Sequence, residues 1–188
     1  MEIQVNKKET EIILRYLSQT LDIDGDVVEL GCYAGDTSIE LARVIKKTNK
    51  KLWLYDSFEG LPEKTANDSS ALGEIFKSGE LGASKSSLLR RFKSTGMQLP
   101  IIKKAWFSDL ASNDLPDKIC FAFFDGDYYE SIKDSFKLVK GKMVDGGIIL
   151  VHDYQNDFLP GVRRAVDEWL AKNPKSSLRI EQTLAIIQ

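Results

Sequence analysis

The only histidine in the sequence, His152, stands beside Asp153 at the end of a strongly apolar run, GGIILVHD at residues 146–153. A second such run, KICFAFFD at 118–125, ends in Asp125 and continues into Gly126-Asp127. If the two runs are neighbouring strands their ends share one rim, and a strand separation of about 4.8 Å brings Asp125, His152 and Asp153 within reach of a single ion. Oxygen ligands favour magnesium, calcium or manganese, whereas an imidazole pulls towards transition metals, so the expected cation is Mg2+, with Mn2+ next. A cation on a substrate hydroxyl lowers the pKa of that hydroxyl, and Asp125 or His152 beside it can then remove the proton. An isolated histidine is more often structural than chemical, but a place on the rim next to Asp153 favours chemistry here. Asp127 is expected to cap the helix that starts near Tyr128, with a role in the site as the alternative, and Asp109 and Asp157 to lie in loops.

A second group of residues suits a bound nucleoside. DVVELG at 26–31 leads through Cys32, Tyr33 and Ala34 to Gly35, Asp36, Thr37 and Ser38, a glycine-bearing turn that opens a helix. The spacing is G-x-x-x-G rather than the G-x-G-x-x-G that seats a pyrophosphate on a helix N-terminus. Asp56 closes the next apolar run about twenty residues further on, where an acidic side chain accepts ribose hydroxyls. Glu29 is costly to bury unless it is paired, and the ammonium of an amino acid or nearby backbone donors would supply the pairing. Ribose plus amino acid without phosphate points to S-adenosylmethionine, with Glu29, Gly31, Tyr33, Gly35, Thr37, Asp56, Ser57 and Asp125 as candidate cofactor residues. A plain tight turn beside a solvated aspartate is the competing reading. Trp106 and Phe107 either stack on the adenine or pack in the core.

These residues need a scaffold. Five short apolar runs, at 26–31, 51–56, 100–107, 118–125 and 146–153, alternate with helical patterns at Thr37–Lys47, Ser84–Phe92 and Glu130–Val144, as in a parallel sheet covered on both faces. An amphipathic helix over Glu9–Leu21 leads in, within an N-terminal segment of residues 1–24. A helix over Gly161–Ala171 and a hairpin of SLRIEQ and LAIIQ follow the fifth strand. Residues 61–87 are too long for a routine connection, carry one apolar island at Glu74–Phe76, and read as a partly helical lid. The 188 residues, 43% hydrophobic and 29% charged, fit one folded domain over 1–188. A net charge of -2 argues against nucleic acid or an anionic membrane as partner and favours a small-molecule substrate. The first residues, MEIQVNKKETEIILRYL, lack an apolar stretch of signal-peptide length, which predicts a cytoplasmic protein. Cys32 and Cys120 lie in or beside apolar runs and read as small buried thiols.

The chain resembles the macrocin O-methyltransferase family of class I methyltransferases. The resemblance is carried by VVELGCYAGDTS at 27–38, LWLYDSFEGLPE at 52–63, FKSGELGASKSSLLRRF at 76–92, KKAWFSDL at 103–110, FFDGDYYESI at 123–132 and GGIILVHDYQNDFLPGVRRAVDEW at 146–169. It implies a Rossmann-like, mostly parallel seven-stranded sheet with a C-terminal antiparallel hairpin. It also implies cofactor contacts from Glu29, Gly31, Gly35 and Asp56, an adenine flanked near Trp106 and Phe107, and a covering lid. Where the family has Asp-Asp-Tyr, both aspartates binding the metal with the counterpart of Asp125, this chain has His152-Asp153-Tyr154. Relatives carry more N-terminal sequence, which helps to form substrate pockets and oligomers, so a homo-oligomer stays open here. The expected activity is metal-assisted O-methylation of a sugar or small metabolite. A nicotinamide-dependent oxidoreductase and a non-catalytic S-adenosylmethionine-binding protein are the alternatives.

Overall fold

A computed structural model describes residues 5–73 and 76–188. Asn6 starts α1 (Lys7–Ser18): its side chain accepts from the Glu9 amide and Glu9 Oε2 accepts from the Asn6 amide, each at 3.1 Å, a reciprocal cap that satisfies two otherwise unpaired donors. Ile13, Tyr16 and Leu17 then form a buried stripe along the helix. Five parallel strands follow, β1 (Asp26–Leu30), β2 (Leu52–Asp56), β3 (Ile101–Lys104), β4 (Ile119–Phe124) and β5 (Met143–Val151), and the chain ends in the hairpin β6 (Leu178–Glu181) and β7 (Leu184–Ile187). The sheet order is β3-β2-β1-β4-β5-β7-β6, with β7 antiparallel to both β5 and β6. The Rossmann-like sheet and its antiparallel end are therefore those implied by the resemblance.

β4 explains the two-sided cover. All six of its residues are buried, and side chains alternate across a strand. Phe121 and Phe123 join the core under α1, α2 (Asp36–Ile45) and α3 (Lys85–Thr95), with Ile13, Leu41 and Phe92. Ala122 and Phe124 face α4 (Tyr129–Val139) and α5 (Pro160–Lys172), with Phe136 and Val166. Each buried phenylalanine contributes about 1.5–3 kcal/mol relative to exposure, so this strand anchors both layers. The strand order reverses between β1 and β4, and ligands bind in the crevice that such a reversal opens at the carboxyl ends.

Three boundaries differ from expectation. The helix read to Val144 stops at Val139: Gly141 turns with φ 75°, the Lys142 amide donates to the Val139 carbonyl at 3.0 Å, and Met143 pairs with Ile119 in the sheet. Met143 and Val144 extended the helical pattern although they belong to β5. The run at 100–107 leaves the sheet after Lys104 and turns through a 3-10 segment, Phe107–Asp109. Between 61 and 84 the helical content among the described residues is one 3-10 turn, Ala66–Asp68. Of the apolar island, Glu74 and Ile75 lie outside the described residues, whereas Phe76 packs on the α4–α5 core. Among the described residues no helix is long and apolar enough to cross a membrane, and Cys32 and Cys120 are free and buried.

Candidate active site

The loops after β1, β2, β3 and β4 line a cleft at the carboxyl ends of the strands, where ligands bind in sheets of this kind. Gly31 and Tyr33 line one wall, Asp56 and Ser57 the next, Ala105, Trp106 and Phe107 a third, and Asp125, Gly126 and Asp127 the fourth; Gly60, Leu61, Pro62, Leu81 and Ser131 complete the lining. Trp106 and Phe107 thus both line the cleft, and Phe107 also packs against the α4–α5 core. Among the described residues, six other than glycine adopt positive φ, and four of them, Tyr33, Phe58, Asp127 and Asp153, sit just beyond β1, β2, β4 and β5. Strain concentrated on one rim marks a functional edge.

Asp56 holds the first loop in shape. Its Oδ2 accepts from the Cys32 and Tyr33 amides at 2.9 Å each, and Oδ1 accepts from the Phe58 amide at 2.6 Å. A carboxylate offers about four acceptor sites, so roughly one remains for a ligand hydroxyl. Ser57 is likewise engaged, donating to the Gly60 carbonyl at 3.1 Å. Gly31 has φ 91°, and a Cβ there would fall on the backbone carbonyl oxygen of Asp125. The glycine is required by this close approach of two loops rather than by contact with a ligand. Gly31→Ala is expected to destabilise the protein by about 2–4 kcal/mol, because left-handed backbone and steric overlap combine. Urea unfolding would read the change, and a variant as stable as the parent would contradict it.

Three expected cofactor residues lie off the cleft wall. Gly35 caps α2 and lies against Leu88, and Thr37 follows it into the helix without reaching the cleft. Glu29 is 1% exposed and accepts a hydrogen bond from the Ser38 hydroxyl behind the loop. Burial, joined by the charges of Asp125 and Asp56 and opposed by the Ser38 hydrogen bond, raises its carboxyl to about 8. The folded chain therefore keeps a proton that the unfolded chain releases near pH 4.5, and stability from this group falls as pH rises from there through about 8. Glu29→Gln is expected to gain a few kcal/mol on the parent between pH 5 and 9. Parallel melting curves would contradict this if the difference between the two proteins did not change with pH.

On the same rim, His152 is 5% exposed and both of its nitrogens face carboxylates. Nδ1 lies 2.9 Å from Asp125 Oδ1 and 3.0 Å from Asp153 Oδ2, and Nε2 lies 3.4 Å from Glu9 Oε2. Burial opposes protonation, but the charge of Asp125 and the hydrogen bonds that the ring donates to Asp125 and Asp153 outweigh it and hold the imidazole well above its ordinary pKa. Glu9 responds in the opposite sense: burial raises it, while His152, Thr183 and the Asn6 amide prevail and leave it at about 2. One ligand atom from each of Asp125, His152 and Asp153 lies within 4.8 Å of the other two, so the expected trio does converge. Asp127 departs from expectation. Tyr128 is the cap residue of α4 and makes no side-chain cap bond; the Tyr129 amide donates instead to Asp68 Oδ1 at 2.7 Å. Asp127 turns into the cleft at φ 59°. Burial, then the charges of Asp125 and Asp153, push its carboxyl well above the usual range.

The family profile described as Macrocin-O-methyltransferase (TylF) matches residues 12–183. The chain belongs to this family. Among curated relatives of this macrocin O-methyltransferase family member, the 8-demethyl-8-(2,3-dimethoxy-alpha-L-rhamnosyl)-tetracenomycin-C 4'-O-methyltransferase of Streptomyces olivaceus is 29% identical over 77% of this chain and 59% of its own. The demethyldecarbamoylnovobiocin O-methyltransferase of Streptomyces niveus is 26% identical over 80% of this chain and 60% of its own. The chain thus spans about six-tenths of the length of these relatives. The solved O-methyltransferase NovP is 26% identical with a TM-score of 0.82, covering 96% of this chain and 79% of NovP. Calicheamicin methyltransferase CalS11, 20% identical at a TM-score of 0.78 over 98% of this chain and 80% of its own, shares the fold.

In the sequence of this family member Glu9 gives no sign of its contact with His152, and Asp127 reads first as a helix cap. Glu9 looks like an ordinary helix-start acid, because its capping bond with Asn6 accounts for it locally. Asp127 sits one residue before the α4 cap, where aspartate is common for another reason. A signal for each was present only in three dimensions: a carboxyl buried beside another titratable group.

Proposed function

We propose that this chain transfers a methyl group from S-adenosylmethionine to a hydroxyl of a sugar-bearing small molecule. The observation that carries the reading is the cleft itself, which Asp56, Trp106, Phe107, Asp125 and Asp127 line together at the reversal point of the sheet. Its residues fit the cofactor: Asp56 keeps an acceptor site for a ribose hydroxyl, Trp106 and Phe107 offer flat side chains for a base, and among the described lining residues none is cationic for a phosphate. The nicotinamide alternative loses support at the same place, because the first turn of α2 carries Asp36, paired with Arg91 at 2.5 Å, where a pyrophosphate would need the helix N-terminus. The rhamnosyl group in the name of the Streptomyces olivaceus relative supports a glycosylated acceptor.

S-adenosylmethionine supplies an electrophilic methyl on a sulfonium. Asp127 is placed to take the acceptor proton: it lines the cleft, and no hydrogen bond from the described chain holds its carboxyl. Asp125 and His152, the bases expected from sequence, are engaged with each other, and His152 does not line the cleft. Asp125, His152 and Asp153 fit a divalent cation, Mg2+ first and Mn2+ next, since two carboxylates and one imidazole nitrogen converge and the far nitrogen is held by a carboxylate as in many metal-bound histidines. Such a cation lowers the pKa of a bound hydroxyl. Leu61, Pro62 and Leu81 of the 61–87 segment line the cleft, and these described residues support its reading as a lid. The reading keeps one domain over 1–188 and a cytoplasmic enzyme.

Incubation with S-adenosylmethionine, Mg2+ and a panel of glycosides carrying free sugar hydroxyls tests it. S-adenosylhomocysteine and a methylated glycoside should appear together. Binding of the cofactor with no transfer to any member, Mg2+ or Mn2+ present, would favour the non-catalytic alternative.

A further inference from the structure

We propose that Glu9, on the N-terminal helix, is the positioning residue that fixes His152, aiming Nδ1 at Asp125 and Asp153. The proposal rests on the metal site of the preceding reading and extends it to a residue far away in sequence. Glu9 is 2% exposed. Its Oε2 faces His152 Nε2 at 3.4 Å and accepts from the Asn6 amide at 3.1 Å, while its Oε1 accepts from the Thr183 hydroxyl at 2.6 Å. A capping glutamate ordinarily sits on the helix surface in water; this one is buried against the one imidazole of the chain, between α1 and the β6–β7 turn.

The consequence follows from imidazole chemistry. With a cation held between Nδ1 and the two carboxylates the ring is neutral, with one N–H and one lone pair, and a carboxylate at Nε2 accepts the N–H, leaving the lone pair on Nδ1 for the cation. Nδ1 is the nitrogen that lies 2.9 and 3.0 Å from the Asp125 and Asp153 carboxylates. Without Glu9, the Nε2 proton would be buried with no acceptor, and the ring would be free to turn or to place its proton on Nδ1. The Thr183 hydroxyl and the Asn6 amide in turn hold the carboxylate, so three segments of the chain fix one ring.

Because His152 is the only histidine, its 15N spectrum reads the ring without assignment ambiguity. With Mg2+ present, the parent should show Nε2 protonated and Nδ1 without a proton. Glu9→Leu should lose this single tautomer and bind Mn2+, measured by titration followed by electron paramagnetic resonance, roughly 10- to 100-fold more weakly. Glu9→Gln keeps an acceptor and the helix cap, so it should retain the tautomer with a smaller loss, and it serves if the leucine variant does not fold. Asn6→Ala breaks only the cap and should bind Mn2+ within about threefold of the parent, against the loss expected at Glu9. Unchanged tautomer and Mn2+ affinity in Glu9→Leu would overturn the proposal, as would an equal loss in Asn6→Ala, which would reduce Glu9 to a helix anchor. A parent protein that binds neither ion would defeat the metal site itself and the positioning role with it.

Discussion

Asp56→Ala is expected to weaken S-adenosylmethionine binding by at least about 100-fold, some 2.7 kcal/mol, and to lower the melting temperature by roughly 5–10 °C. Both effects come from one carboxylate. It accepts three backbone amides, two from the loop after β1 and one from its own turn, and hydrogen bonds to a charged acceptor contribute about 1.5–3 kcal/mol each. Removing it leaves the Cys32 and Tyr33 amides without an acceptor beneath a loop whose Tyr33 already sits at φ 42°. The ligand loses its hydroxyl acceptor and the wall that carries it in the same step. Asp56→Asn retains one carbonyl acceptor and should fall between parent and alanine in both measurements. Calorimetric titration together with thermal melts would check the pair. A stable alanine variant with undiminished affinity would mean that the loop holds itself and that the ribose lies elsewhere.

Asp127→Asn is expected to lower turnover roughly 10²- to 10⁴-fold, to leave the cofactor dissociation constant within about threefold, and to hold or raise the melting temperature. The combination separates chemistry from structure. Asparagine has nearly the shape of aspartate and tolerates left-handed backbone well, so φ 59° costs the variant nothing new. It also removes a half-buried carboxyl whose charge would oppose those of Asp125 and Asp153. A residue kept at the expense of stability and needed for rate is what a functional site predicts. Steady-state kinetics on whichever glycoside the acceptor panel identifies, beside melts of both proteins, would show it. Full activity in Asp127→Asn would return the role of base to Asp125 or His152.

Much of the scaffold is legible from local chemistry. The apolar runs at 26–31, 51–56 and 118–125 became β1, β2 and β4 nearly to the residue, since buried parallel strands need continuous apolar side chains and each run is closed by a turn signal. The same rule misjudged Met143 and Val144, because an apolar pair after a helix reads as more helix until its sheet partner, Ile119, is known. Within the site, Asp56, Trp106, Phe107 and Asp125 face the cleft as their strand-end positions suggest. Glu29 does not, although the sequence marked it equally: it alternates to the α2 side of β1 and meets Ser38, and that choice of face depends on the pleat rather than on the motif. Glu9 was illegible for a further reason, that 143 residues separate it from His152 and a capping bond already explains it.

Titration of the folded protein with S-adenosylmethionine in a calorimeter bears most directly on the cofactor cleft. One saturable site should be seen in the parent, lost in Asp56→Ala and kept in Asp127→Asn, with NADH giving no heat. A folded parent that binds NADH, or that leaves S-adenosylmethionine unbound, would contradict the assignment of the cleft.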